Sequence, residues 1–137
     1  MDWKFFPPHT APKPLDIIWC NFPLAEDPAN PGPKARPALV RSVRRQKDRA
    51  YVEVAYGTSR MTNYGQYDLI IANLTDMTEM GLPQATVFQL QRLVTIPWAE
   101  EWVGVLGNRG PSISTLNAKY RGYLTYIQGQ ASGKTNR

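Results

Sequence analysis

Two β-prone runs constrain this chain more than any other feature: Ala35-Arg36-Pro37-Ala38-Leu39-Val40 and Val52-Glu53-Val54-Ala55-Tyr56-Gly57-Thr58-Ser59. Around the second run, Tyr51, Glu53 and Ala55 fall on one face and Val52, Val54 and Tyr56 on the other, the period of a strand, until Gly57 interrupts it. Pro37 pushes Arg36 towards extended backbone geometry, so the arginine projects from a rigid strand start. Upstream, Pro28, Pro31, Gly32 and Pro33 exclude a helix from the long loop at residues 23–34. Loops of that length are commonly functional.

The remaining pattern extends a mainly β reading. Strands are expected at residues 16–22, 38–43, 50–55, 67–71 and 86–96, with the second and third forming a hairpin around a basic tip. Residues 114–128 read as a C-terminal helix, with Ser112 or Ser114 as cap and Leu116, Tyr120, Tyr123, Leu124 and Ile127 along one face. Residues 1–14 carry several prolines and bulky aromatics and read as an arm lying across the sheet. Residues 129–137 are small and polar and are expected to be disordered. Residues 98–102 and 104–111 read as irregular. The 137 residues fit one domain spanning residues 1–128, and a hydrophobic fraction of 42% with four Trp, seven Tyr and four Phe suffices for a core.

The polar groups on the two opening runs suit phosphate chemistry. The planar fork of Arg36 can place paired donors on phosphate oxygens, which a lysine ammonium does less well. Gly57 gives the backbone room to approach a ligand, and the Thr58 and Ser59 hydroxyls can donate to it. The plainer alternative is that Arg36 pairs with a surface carboxylate and residues 57–59 form an ordinary turn. A net charge of +5 and a pI near 9.5 suggest an anionic partner. Lys34, Arg36, Arg41, Arg44, Arg45, Lys47 and Arg49 crowd one strand and its turn, with only Asp48 opposing them, and Arg60 follows the hydroxyl pair. This cluster would gather an RNA backbone, although hairpin tips are also charged for solubility alone.

Other chemistry is poorly supported. The single cysteine, Cys20, lies in an apolar run, which excludes an internal disulfide and a cysteine-pair zinc site and favours a buried thiol in a reducing cytoplasm. His9, the one histidine, sits among prolines where nothing orients it as a base. No apolar stretch reaches the ~18 residues of a membrane span. The first residues lack the basic, apolar and cleavage-site order of a secretion signal, so secretion is not expected. Tyr64 and Tyr67 could stack on bases, although tyrosines flanking a strand are more often packing residues. Gly133-Lys134-Thr135 lacks the upstream glycines of a phosphate loop.

In order, Leu15-Asp16-Ile17-Ile18-Trp19, the Pro/Gly-rich loop, Arg36-Pro37-Ala38-Leu39-Val40, Ala55-Tyr56-Gly57-Thr58-Ser59 and Gln91-Arg92-Leu93-Val94-Thr95-Ile96 resemble the PemK/MazF family of toxin endoribonucleases, over roughly residues 14–98. The Arg-Pro-Ala-Leu-Val strand is the most specific piece. Leu15 stands where the family has glycine, and Val94 where it has an arginine. The resemblance implies a small SH3-like β barrel that dimerises, acts in the cytoplasm and is held in check by an antitoxin protein. It implies cleavage of single-stranded RNA without metal or cofactor, leaving 2′,3′-cyclic phosphate and 5′-hydroxyl ends. It assigns Arg36 to the phosphoryl transition state and Thr58, with Ser59 as helper, to hydrogen bonding of the scissile phosphate. Lys34, Arg41, Arg44, Arg45, Arg60, Gln89 and Gln91 complete the expected RNA surface. Some members carry an arginine and an acid where this chain has Gln89 and Gln91, neither of which titrates. A non-catalytic SH3-like barrel binding nucleic acid or a peptide is therefore the second expectation.

Overall fold

The computed structural model describes residues 2–61, 65–103 and 113–135, without the side chains of 130–135. Its strands are β1 (Asp16–Asn21), β2 (Ala35–Arg45), β3 (Ala50–Thr58), β4 (Asp68–Ile71), β5 (Thr86–Pro97) and β6 (Ile113–Thr115). A short helix, α1 (Leu74–Glu79), lies between β4 and β5, and α2 (Lys119–Thr135) ends the described chain. The strands form one curled antiparallel sheet in the order β4-β5-β3-β2-β1-β6. This is the expected mainly β architecture, a small barrel-like sheet with a C-terminal helix.

Both faces of the sheet are buried, which is why Ile17-Ile18 and Ala38-Leu39-Val40 read as unbroken apolar runs. Alternate residues go to opposite faces. Ile18, Cys20, Ala38, Val40, Val52, Val54 and Ile96 form the first face, covered by the N-terminal segment and by Trp98, Ala99, Trp102 and Val103. Ile17, Leu39, Ala55, Leu69 and Phe88 form the second, covered by Met80, Leu82, Leu116, Leu124 and Ile127. Residues 98–102, irregular in backbone as expected, thus supply two tryptophans to the core. The N-terminal segment is pinned where Phe6 N–H donates to the Trp98 carbonyl at 3.0 Å and the Trp98 indole donates to Thr10 Oγ1 at 3.0 Å.

Two features depart from the sequence reading. The helix starts at Lys119, not 114, because Ile113–Thr115 pair with β1 as an edge strand. Their hydroxyls are used in tertiary contacts rather than caps: Ser114 Oγ donates to the Met80 carbonyl at 2.8 Å, and Thr115 Oγ1 to buried Asp16 at 3.0 Å. Asn117 Oδ1 instead accepts from the Lys119 amide at 3.1 Å. Ser112 lies outside the described residues. The backbone of α2 continues to Thr135, through much of the stretch expected to be disordered. The second departure is α1, which the sequence reading did not include. Asn73 caps it by accepting from the Asp76 amide, and Gly81, with φ of 67°, closes it in the left-handed conformation that glycine tolerates.

Candidate functional site

Arg36, Gly57 and Ser59 come together at one end of β2 and β3. They line a pocket of about 220 Å3 with Trp19, Pro37, Pro83, Gln84 and Thr86 among its other walls. Strand parity selects Pro37, Gly57 and Ser59, which share a face with Trp19, whereas Arg36 has the opposite parity and reaches the pocket from the strand's end. Ala38 pairs with Tyr56, and extending that register sets Pro37 across from Gly57 and Arg36 across from Thr58. Trp19 packs with the second-face cluster, and Gly57 pairs with Phe88 of that cluster. Gly57 is required there: a Cβ would stand 2.4 Å from the Pro37 carbonyl oxygen.

Thr58 falls on the other parity. It is 6% exposed, does not line the pocket, and accepts from the Arg60 amide at 3.1 Å. Its hydroxyl therefore fixes the turn that carries Ser59, which is exposed at the pocket.

On the first face the same strand end carries a cation cluster. The Arg36 guanidinium stands 6.0 Å from the Tyr56 ring centre and that of Arg92 4.1 Å from it, with Arg92 also 5.6 Å from Phe22. Phe22 meets Tyr56 edge-on at 4.8 Å. Arg92 reaches this position through an irregularity in β5: Leu93 pairs with Ala55 and Gln89 with Tyr56, leaving residues 90–92 looped out opposite β3. Among the described residues the ion pairs are Arg49–Asp48 and Lys119–Asp76, so neither guanidinium at Tyr56 is neutralised by a carboxylate. Two such arginines on one ring form a concentrated positive field open to an anion.

The hairpin tip is a different place. Arg45 lies nine residues along β2 from Arg36, on the order of 25–30 Å at strand rise. Its guanidinium donates to the carbonyls of Pro8 and Ala11 at 3.2 and 3.4 Å, docking the N-terminal segment. Arg49 pairs with Asp48 and lies over Phe5, and Arg44 lies over Tyr51. Arg41 occupies the bulge between Val40 and Ser42, where burial lowers its pKa and Glu53 opposes the shift. Lys34 and Arg60 are exposed near the pocket end of their strands, Gln89 is half-buried beside Tyr56, and Gln91 is exposed in the β5 loop-out. The expected RNA surface thus divides between two ends of the sheet.

No protein-family model matches the chain, and no curated protein matches it. The PemK/MazF resemblance rests on the residues themselves.

Among the described residues, Arg36 is the one that lines the pocket with an ionisable side chain. Burial pushes the Cys20 thiol up to about 12, so it is no nucleophile although it pairs with Arg36 across the strands. His9 is exposed in a short 3-10 turn at residues 8–10 of the N-terminal segment. Tyr64 lies outside the described residues. Among the described residues no three His, Cys, Asp or Glu side chains gather to hold a metal ion, and no helix is long and apolar enough to cross a membrane. Sequence reading missed Trp19, Phe22, Tyr56, Pro83, Gln84 and Arg92 as site residues. For Arg92 a signal existed, since Gln89-Leu90-Gln91-Arg92 breaks strand alternation with two adjacent polar residues.

Proposed function

We propose that this protein is a toxin-type endoribonuclease that cuts single-stranded RNA at the Arg36 end of the sheet without a metal ion. The observation that carries the reading is the pair of arginines on Tyr56, unneutralised and adjoining a pocket with an exposed serine. A second observation supports the family resemblance: Leu15, in the family's glycine position, has φ of 77°, the left-handed backbone that glycine favours.

In the proposed reaction the ribose 2′-oxygen attacks the adjacent phosphorus, the new O2′–P bond forms and the P–O5′ bond breaks. The 2′-hydroxyl loses its proton and the departing 5′-oxygen gains one, giving 2′,3′-cyclic phosphate and 5′-hydroxyl ends. Arg36 and Arg92 stabilise the charge that accumulates on the phosphoryl oxygens, and Ser59 donates a hydrogen bond to them. Thr58 holds the Ser59 turn. Among the described residues the pocket walls carry no carboxylate or imidazole, and in this proposal water carries the protons. The proposed partners are an antitoxin whose flexible peptide occupies the same groove and a second copy of the chain, in the cytoplasm.

Gln89 and Gln91 favour a second reading, a non-catalytic barrel that binds single-stranded nucleic acid or a peptide. Incubation of the protein and its Arg36→Ala variant with long mixed-sequence RNA in excess EDTA separates the two. New 5′-hydroxyl ends from the wild type alone are the expected result. RNA that is bound but left intact refutes the nuclease reading.

A further inference from the structure

We infer that the pocket on the second face is a nucleobase subsite, in which Trp19 stacks on one base of the RNA and the Gln84 side-chain amide reads that base's edge. The inference rests on the proposed reading of this end of the sheet as an RNA surface and names what sets its sequence preference. Arg36 belongs to both places: it lines the pocket and its guanidinium faces Tyr56. A phosphate held at Arg36 and Ser59 leaves its own nucleoside beside the pocket mouth.

The walls suit a flat aromatic ligand. Trp19, Pro37 and Pro83 supply apolar surfaces, and stacking on an indole tolerates any base because every base has a π-face. The volume of about 220 Å3 is below the ~300 Å3 at which drug-sized sites begin and fits a single ring system. Discrimination then falls to Gln84, whose amide offers both a donor and an acceptor and can meet a base edge with two hydrogen bonds. Thr86 Oγ1 donates to the Gln84 carbonyl at 3.0 Å, which fixes the backbone there, while the Gln84 side chain is exposed at the rim.

The test titrates the full chain with each of the four nucleoside 3′-monophosphates, following tryptophan fluorescence in the wild type, Trp19→Phe and Gln84→Ala. Trp19→Phe keeps an apolar ring in a half-buried position, and Gln84→Ala alters an exposed side chain, so folding is preserved in at least the second. At least one monophosphate is expected to quench the wild type saturably. Trp19→Phe should lose that ligand-dependent quench, and Gln84→Ala should compress the affinity ratio among the four by roughly 5-fold or more. Absence of binding at millimolar concentration, or an unchanged quench in Trp19→Phe, overturns the subsite. So does a saturable response to a hydrophobic peptide with none to the monophosphates, which would assign the pocket to a protein partner. Mapping cut sites separates this inference from the nuclease reading. RNA cut with the same base preference by both variants and the wild type overturns the subsite alone. Monophosphates bound as expected, with RNA bound but left uncut, support the subsite and overturn the nuclease, whereas RNA that is not bound at all overturns both.

Discussion

Replacing Gly57 with alanine tests the geometry on which the pocket depends. The added Cβ would stand 2.4 Å from the Pro37 carbonyl oxygen and 2.9 Å from Phe88 Cε1. A ring edge can turn aside, but a carbonyl within a paired strand cannot, so β2 and β3 must separate by more than half an ångström beside the Ala38–Tyr56 pair. Overpacking of this kind costs about 1–3 kcal/mol, and the smaller unfolded-state entropy of alanine returns about 0.4–1 kcal/mol, leaving a net loss of about 1–2 kcal/mol. An unfolding entropy of ~2.1 cal/mol/K per residue converts that to a fall in Tm of roughly 3–7 °C for this chain of 137 residues. Thermal unfolding followed by circular dichroism reads it. Gly122→Ala is the internal comparison, since Gly122 lies in α2 with nothing within 4 Å of an added Cβ, and the change should raise Tm by roughly 2–3 °C. Equal melting temperatures for Gly57→Ala and the wild type would refute the close approach of the two strands. The variant should also lose RNA cleavage beyond its loss of stability, because Gly57 lies between Pro37 and the turn that presents Ser59.

Other residues give sharper functional or pH readouts. Arg92→Ala should weaken single-stranded RNA binding about 10-fold and reduce the salt slope of log K by roughly 0.7, measured by fluorescence anisotropy, whereas an unchanged slope removes Arg92 from the phosphate path. Arg45→Ala should cost about 1 kcal/mol of stability through its lost bonds to Pro8 and Ala11, and should leave the cleavage rate within about twofold of wild type. A larger kinetic loss would place the hairpin tip on the RNA path. Asp76 accepts from Lys119 and from the Tyr120 hydroxyl, which hold its carboxyl below the ordinary range, Lys119 contributing most. Its stabilisation is present above the unfolded pKa of ~3.9 and is lost as pH falls through the depressed folded value, so Asp76→Asn should flatten the acid limb of stability against pH. Cys20 should resist a thiol reagent in the native protein at pH 8 and react once it is unfolded, since burial raises its pKa to about 12.

The fold was legible wherever its signal was local. Pro37, Gly57 and the alternation through β3 locate the central strands, and each observed strand overlaps an expected one except β6. What sequence could not supply was the competition between local and distant partners. Ser114 and Thr115 have the chemistry of helix caps, yet Asp16 and the Met80 carbonyl claim their hydroxyls from far along the chain, and the helix begins later. The hairpin tip shows the same competition. Arg45 looks like an RNA contact by charge, and only the docked N-terminal segment shows that two carbonyls occupy it.

At the candidate site the division falls between residues fixed by strand chemistry and residues delivered by irregular backbone. Arg36 is visible because Pro37 constrains it, and Gly57 because it interrupts a run. Arg92 owes its position to three looped-out residues in β5, and Gln84 to the turn that leads into that strand. Both lie on β5 or its approach, so one irregular strand supplies the second cation to one face and the amide to the other. Tyr56 links the two arginines physically: each guanidinium adjoins its ring, and removing either alters the field felt by the other. Their contributions to phosphate binding are accordingly coupled, and the loss in an Arg36→Ala, Arg92→Ala double variant should differ from the combined single losses by more than the ~0.5 kcal/mol found for independent sites. Additive losses would instead mean that the two arginines hold separate phosphates, with Tyr56 serving only to pack against Phe22.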